Sequence, residues 1–418
     1  MPDSWLLCHR CGREFGLGPY FFGCPECRDV STSATLEVHY DQGVAKRLLA
    51  SNFADRNRTD LWRFSPLLPL REPDRAITLG EGGTPFISNP RLNDSIGMSG
   101  LMLKDESQNP TCSYKDRFNA VTISMARELG FTKIASSSTG NQGASAAAYA
   151  AAAGLSCIVL VPDETPDLLR DLIQIYGARV LVARWSARGG FLASLVSDHG
   201  WFPASTLAPM PTGAPYGIEG YKTIAFEMIL ASRESPIDFV FAPVGGGDGL
   251  YGLFKGWREF SQLGFAETMP KFVAVQPAGA NPVVRAVSAG QSSVTPVTDA
   301  WSIATSTREE VAADHALMAI YGSQGLAIEV TEDEIRDALL LLARHGIAVE
   351  PASALSIAGL RKALRDGLIA PDARVAALLT SSLMKWPPIL ADLTPRPKRV
   401  ASLADLQEVI VSTGQDRG

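Results

Sequence analysis

The sequence predicts an α/β protein of two doubly wound parallel-sheet domains, preceded by a zinc-ribbon-like segment. Three observations predict it. Short apolar runs alternate with helical ones from Lys133 to Ala204 and again from Glu219 to Pro277, and such alternation marks right-handed βαβ units on a parallel sheet. The chain has 418 residues, enough for two sizeable cores. Four of the six cysteines lie in the first 27 residues, as Cys8-His-Arg-Cys11 and Cys24-Pro-Glu-Cys27.

Two C-x-x-C knuckles at this spacing can set four thiolates at the corners of a tetrahedron, the geometry of closed structural Zn²⁺ sites. Cys8, Cys11, Cys24 and Cys27 are therefore candidate metal ligands, with disulfides, redox pairs and vestigial cysteines as alternatives. His9, inside a knuckle, reads as a bystander. Arg10, Arg13 and Arg28 are matched by Asp3, Glu14, Glu26 and Asp29, so the segment has no basic face for phosphates. The formal net charge of −6 likewise argues against nucleic-acid or anionic-membrane partners. No apolar run reaches the ~18 residues of a membrane span, and the first residues lack a secretory pattern, so a cytoplasmic protein is expected.

In chain order, Val30 to Phe86 reads as a linker and approach strand, ending in the turn-rich Thr78-Leu-Gly-Glu-Gly-Gly-Thr-Pro-Phe86. Gly100 to Glu106 reads as a strand, followed by the turn Asn109 to Lys115 and a helix. Lys133 to Ala135 is a short buried strand leading to the turn Ser136-Ser-Ser-Thr-Gly-Asn-Gln-Gly143 and the alanine-packed helix Ala144 to Ala153. Strands are expected at Ser156–Pro162, Arg179–Ala183, Asp238–Val244, Lys271–Pro277 and Arg374–Thr380. Helices are expected at Thr165–Tyr176, Trp185–His199, Glu219–Ser232, Leu250–Phe260 and Thr331–His345, the last with a capping box of Thr331 and Glu334, and another begins at Glu350. The expected division is 1–30 for the cysteine segment, 31–130 with 205–395 for a large domain, 131–204 for a small one, and 396–418 for a peripheral tail.

Three strand-to-helix turns carry the chemistry. One holds Lys115 at a helix start, where the positive end of the helix favours the neutral amine that imine formation needs. The second is Ser136 to Gly143, and the third is Val244-Gly-Gly-Gly-Asp-Gly249. Taken alone, Lys115 reads as a solvated first-turn lysine and each serine as an ordinary cap. Together they suit pyridoxal phosphate, which offers an aldehyde to an amine, a ring edge to polar side chains and a phosphate to a glycine-rich loop.

At these residues the sequence resembles the fold-type-II pyridoxal-phosphate enzymes (tryptophan synthase β-like), and within them the threonine synthase group. The matching segments are Ser113-Tyr-Lys-Asp-Arg117, Ser137 to Ser145, Gly217-Ile-Glu-Gly-Tyr-Lys-Thr223, Val244 to Gly249, Val349-Glu-Pro-Ala-Ser-Ala354 and Leu379-Thr-Ser-Ser-Leu-Met-Lys385, in the family's order. The resemblance implies that Lys115 holds the cofactor as an imine and, once displaced, removes the Cα proton. It implies that Asn141 meets the ring hydroxyl, that Gly245, Gly246, Gly247, Asp248 and Gly249 wrap the phosphate, and that Thr380 faces the ring nitrogen. A hydroxyl there makes the ring a weaker electron sink than a carboxylate would, which favours elimination over transamination. Ser138, Thr139, Gly140 and Gln142 would bind the carboxylate of a small amino-acid substrate, while Asp116 and Arg117 would anchor the helix start. Some threonine synthases carry a similar cysteine segment, and a homodimer is the family default.

Two departures bear on the substrate. The resemblance places a phosphate-binding arginine of threonine synthases at Gly217, and a threonine at Gln142. Losing such a clamp costs about 1.5–3 kcal/mol for each charge-assisted contact. The expected activity is therefore elimination of a β- or γ-substituent, with threonine synthase the nearest named enzyme. A dehydratase or ammonia-lyase acting on serine, threonine or diaminopropionate is the alternative, and a non-catalytic binding protein on the same fold is the rival of another class.

Overall fold

In a computed structural model, residues 3–28, 34–52, 58–207, 214–394, 397, 399–403 and 405–407 are described. The chain begins with an antiparallel sheet of β1 (Ser4–Cys8), β2 (Glu14–Phe15) and β3 (Leu36–Tyr40), in the order β2-β1-β3. The segment expected to be a linker thus supplies a strand, the helix α1 (Gln42–Asn52) and a 3₁₀ turn at Leu61–Leu67. Leu36, Val38 and Tyr40 are buried, and so is Glu37, which is paired with His9, Lys255 and Arg258. The sheet is fastened to the body by Tyr40, whose hydroxyl donates to Glu219 Oε2 at 2.6 Å, and by Gly18, whose N–H donates to the Tyr216 hydroxyl at 2.7 Å.

Two parallel sheets follow. β4 (Phe86–Ile87), α2 (Pro90–Ile96), β5 (Leu101–Asp105) and α3 (Lys115–Glu128) lead into a second sheet, made by β6 (Lys133–Ser137), α4 (Asn141–Ala153), β7 (Ser156–Val161), α5 (Asp167–Ile175), β8 (Arg179–Val182), α6 (Arg188–Ser197) and β9 (Phe202–Pro203). The chain returns to the first through α7 (Gly217–Ala231), β10 (Phe239–Pro243), α8 (Asp248–Gln262), β11 (Lys271–Pro277), α9 (Pro282–Ser288), α10 (His315–Gly322), β12 (Leu326–Val330), α11 (Glu332–Arg344), α12 (Pro351–Arg365) and β13 (Val375–Leu379). The orders are β12-β11-β10-β13-β5-β4, with only β4 antiparallel, and β8-β7-β6-β9, all parallel. The expected capping box at Thr331 and Glu334 is formed.

These orders locate the ligand crevice. In the large sheet the chain winds outward from β10 through β11 to β12, then crosses to β13 beside β10. In the small one it winds from β6 to β8 and returns to β9 beside β6. Ligands of such sheets sit beyond the carboxyl ends of strands at these reversals, and β6, β10 and β13 all stand at one. Helix α7 reaches the site's floor because it lacks side chains where it crosses its neighbours: a Cβ on Gly220 would lie 1.9 Å from Arg117 O, and one on Gly256 of α8 would lie 2.4 Å from Lys222 O.

Contacts divide the chain at Trp386 and Pro387. The later unit holds the short helix α13 (Leu390–Leu393), and most of the tail expected over 396–418 lies outside the described residues. Among the described residues, no helix is long and apolar enough to cross a membrane.

Candidate active site

The turn carrying Lys115 is held from both sides. Cys112 adopts φ 58°, a left-handed conformation rare for a residue with a side chain, and its neighbours fix it there: its N–H donates to Asn109 O at 2.7 Å and its carbonyl accepts from Ser382 N–H at 3.1 Å. Tyr114 N–H donates to Thr380 O at 2.9 Å, which joins this turn to the exit of β13. Asp116 accepts from Thr111 N–H and Oγ1, both at 2.6 Å. Arg117 is fully buried and donates to Glu106 Oε2 and Glu227 Oε1, both at 2.7 Å. Both side chains thus anchor the helix start, as their positions led us to expect. Lys115 itself is half-buried, its Nζ 4.8 Å from the ring centre of Tyr114 and 5.7 Å from that of Tyr221.

The glycine turn meets the same tyrosine. A Cβ on Gly249 would stand 3.1 Å from Tyr114, and one on Gly245 would stand 3.3 Å from Glu309. Gly247 takes φ +104°, and a Cβ there would press on Ala316 at 2.8 Å, whereas one on Gly246 would meet only open space. This is a glycine cradle opening at the start of α8. Asp248 opens that helix with Oδ1 2.9 Å from His315 Nε2. Burial would raise the Asp248 carboxyl, but the nearby imidazole and the Lys115 ammonium hold it below its ordinary value.

The middle turn contributes Asn141. Its Nδ2 donates to both Glu350 oxygens, at 2.9 and 2.8 Å, and approaches Ser381 Oγ at 3.3 Å and Ser306 Oγ at 3.4 Å. Its Oδ1 is buried without a partner among the described residues. Thr380 is buried, with Oγ1 2.9 Å from Ser353 Oγ. Lys115, Asn141, the glycine turn and Thr380 therefore converge.

The loop expected to bind a carboxylate is braced by its own side chains. Ser138 Oγ accepts from Gly140 and Gly143 N–H, both at 2.9 Å, so it supports its own loop. Gln142 Nε2 donates to Asn119 Oδ1 at 3.1 Å and Ala204 O at 2.6 Å, tying α4 to α3 and to the end of β9. Thr139 and Gly140 form the crest between them, with Gly140 at φ +157°.

Glu350, where a helix was expected to begin, takes the N-cap position of α12 and is also the acceptor for Asn141. Sequence reading missed Glu309 and His315, whose signals are not local. At Gly217 there is no room for a side chain, since a Cβ would fall 2.0 Å from Phe118.

Residues 77–381 match the family described as pyridoxal-phosphate dependent enzyme. The chain belongs to that family. It is 36% identical over 411 residues to a threonine synthase of Methanosarcina acetivorans, covering 97% of this chain and 98% of that protein. It is 35% identical over 398 residues to one of Methanocaldococcus jannaschii, covering 94% and 96%. Among solved structures, the processed threonine deaminase isoform 2 of Solanum lycopersicum aligns with a TM-score of 0.62 at 19% identity, over 82% of this chain and 93% of that one. An L-serine ammonia-lyase of Rhizomucor miehei aligns at 0.62 with 22% identity, over 73% and 97%. At these identities the structural likeness shows the fold alone. The chain is a threonine synthase-like, pyridoxal-phosphate-dependent lyase of the fold-type-II architecture.

Separately, the sulfurs of Cys8, Cys11, Cys24 and Cys27 all lie within 4.8 Å of one another, a group that could hold a metal ion.

Proposed function

We propose that the protein is a threonine synthase, removing a γ-phosphate from a phosphorylated homoserine and adding water to give threonine. The observation that carries this reading is similarity to a threonine synthase along 97% of the chain. The residues fit the cofactor: a buried Asn141 Oδ1 without a partner, a glycine cradle open at Gly246, and an amine between them and the tyrosines. Pyridoxal phosphate, when bound, supplies the electron sink for the pair left on Cα.

This chain's own residues do the rest. Lys115 anchors the cofactor and then takes the Cα proton on its amine. Asn141 meets the ring's 3-hydroxyl. Gly245, Gly246, Gly247 and Gly249 hold the phosphate with backbone N–H groups, and Asp248, tied to His315, orders the helix start behind them. The Thr380 hydroxyl faces the ring nitrogen, and Thr139 and Gly140 hold the substrate carboxylate, with Ser138 and Gln142 as the loop's support. The visible absorbance of lysine-bound cofactor in purified protein, abolished in Lys115→Ala, is the test. No such absorbance in the native protein would leave a binding protein on an enzyme fold.

One observation favours a second reading, a dehydratase or ammonia-lyase for unphosphorylated serine, threonine or diaminopropionate. Phe118 fills the place where the resemblance puts the phosphate-binding arginine. Assaying phosphate release from phosphohomoserine against 2-oxo acid formation from the three amino acids separates the two. Phosphate release with threonine formed supports the first, and oxo acid alone supports the second.

We further propose a structural Zn²⁺ on Cys8, Cys11, Cys24 and Cys27, supported by the spacing of their sulfurs. The cytoplasmic location, the homodimer, and the division into a large domain (31–130 and 205–395) and a small one (131–204) are proposals of the same standing. The composition of the two parallel sheets supports the division.

A further inference from the structure

Two guanidinium groups gather on one indole beside the site. Trp185 opens a 3₁₀ turn ahead of α6, and the Arg188 and Arg308 Cζ atoms lie 4.4 and 4.1 Å from its ring centre. Arg188 is only 8% exposed; its Nη1 donates to Ser137 Oγ at 3.2 Å, and its Nε is buried with no partner among the described residues. Among the described residues the ion pair of Arg308 is to Glu164, at 3.8 Å, and that carboxylate is 61% exposed. Burial holds the Arg188 guanidinium below its ordinary value against the pull of Glu309 and Glu164, and like charges held this close, one of them with an unused donor, form an arrangement that a further anion would stabilise.

Both stand beside the residues of the candidate site. Ser137 ends β6 immediately before the Ser138–Asn141 loop, while Arg308 follows Ser306, which approaches Asn141 Nδ2 at 3.4 Å. The next residue, Glu309, stands against Gly245. Desolvation leaves the Glu309 carboxyl above its ordinary value although Arg188, Lys115 and Arg308 act the other way, so both guanidiniums are within electrostatic reach of the residue beside the glycine cradle.

We propose that Arg188 and Arg308, stacked on Trp185, form the subsite for an anionic leaving group on the substrate, a phosphate monoester, in place of an arginine at Gly217. The inference rests on the reading of the protein as a pyridoxal-phosphate enzyme and names the residues that select its substrate. Two guanidiniums match the charge of a phosphate dianion and present paired N–H donors to its oxygens. Glu164, loosely held and open to water, is the partner that the anion displaces from Arg308.

The test is calorimetric titration of inorganic phosphate into cofactor-loaded native protein and into Arg188→Met and Arg308→Met. Acetate serves as the carboxylate arm, and cofactor absorbance is recorded throughout. Phosphate is expected to bind the native protein and to bind each variant about 10- to 100-fold more weakly, the size of one lost charge-assisted contact. Arg308, the less buried of the two, keeps the test decisive if the Arg188 variant does not fold. Undetectable phosphate binding to the native protein, or equal binding to native and Arg308→Met protein with cofactor absorbance intact, overturns the arginine subsite alone. Acetate held as tightly as phosphate, and lost in the same variants, overturns the phosphate assignment in favour of a carboxylate. Native protein that never acquires the absorbance overturns the cofactor reading beneath both.

Discussion

Replacing Arg117 with methionine tests whether the helix that presents Lys115 is held by a balanced buried charge cluster. Arg117 and Lys104 face Glu106 and Glu227, with side-chain exposures of 0%, 1%, 0% and 9%. Arg117→Met leaves two carboxylates against Lys104 alone, and an uncompensated buried charge costs about 3–5 kcal/mol. The Glu227 carboxyl gives an independent measure. Burial would raise it, yet Arg117 and Lys104 bring it from an ordinary 4.5 down to about 2. A depressed acid contributes stability that is present above its unfolded value and is lost as pH falls towards the folded one. Here that amounts to about 3 kcal/mol between roughly pH 4.5 and 2. Urea unfolding at neutral and acid pH should therefore show the variant less stable at neutral pH, with a flatter acid limb. The double variant Arg117→Met/Glu106→Gln, which restores the balance of Lys104 and Glu227, should recover part of the loss. A single-variant cost below about 1 kcal/mol, or a double variant weaker than the sum of its parts, would refute the reasoning.

Other perturbations are as direct. Gly217→Ala should destabilise by about 1–3 kcal/mol or more, because its Cβ would overlap Phe118 at 2.0 Å; a melting temperature equal to the native one would show that the wall yields. Glu350→Ala removes the acceptors of Asn141 Nδ2 at 2.9 and 2.8 Å and should weaken cofactor binding about tenfold in a fluorescence titration, with Glu350→Gln milder because it keeps one acceptor. Unchanged affinity in the alanine variant would mean the amide is fixed by its serine neighbours. Purified protein should carry about one zinc per chain, and Cys24→Ser should lose both the metal and several degrees of melting temperature. Full stability without metal would show that the knuckles are vestigial.

The parallel-sheet strands were legible because both their faces are covered: Lys271–Pro277 runs nearly unbroken in apolar residues, and its bounds agree with the observed strand. The strand Leu36–Tyr40 went unread although its apolar residues alternate with Glu37 and His39; what the alternation does not tell is that Glu37 is buried too. The charges that neutralise Glu37 come from Lys255 and Arg258, more than two hundred residues later, and no local pattern announces them. At the site, Lys115, Asn141 and the glycine turn were readable because a strand-to-helix turn has a local signature. Glu350 was half-readable from its place before a helix-starting proline. His315 and Glu309 were silent, since each matters only through what the fold places beside it.

That distinction bears on the phosphate question. The family resemblance looks for an arginine at one place in the chain, but an anion responds to the field at its oxygens, whichever element delivers the cation. Arg188 follows a strand of the small sheet and Arg308 lies between β11 and β12 of the large one, so the two guanidiniums meet across the same crevice that Asn141 and Glu350 bridge. An anion held by both would add a tie between the sheets beside the existing amide-to-carboxylate tie. It would also draw Arg308 from a largely solvated partner to one at the site. The glycine at 217 then removes a competing anchor on α7 and leaves the substrate's charge to be read where the two sheets face each other.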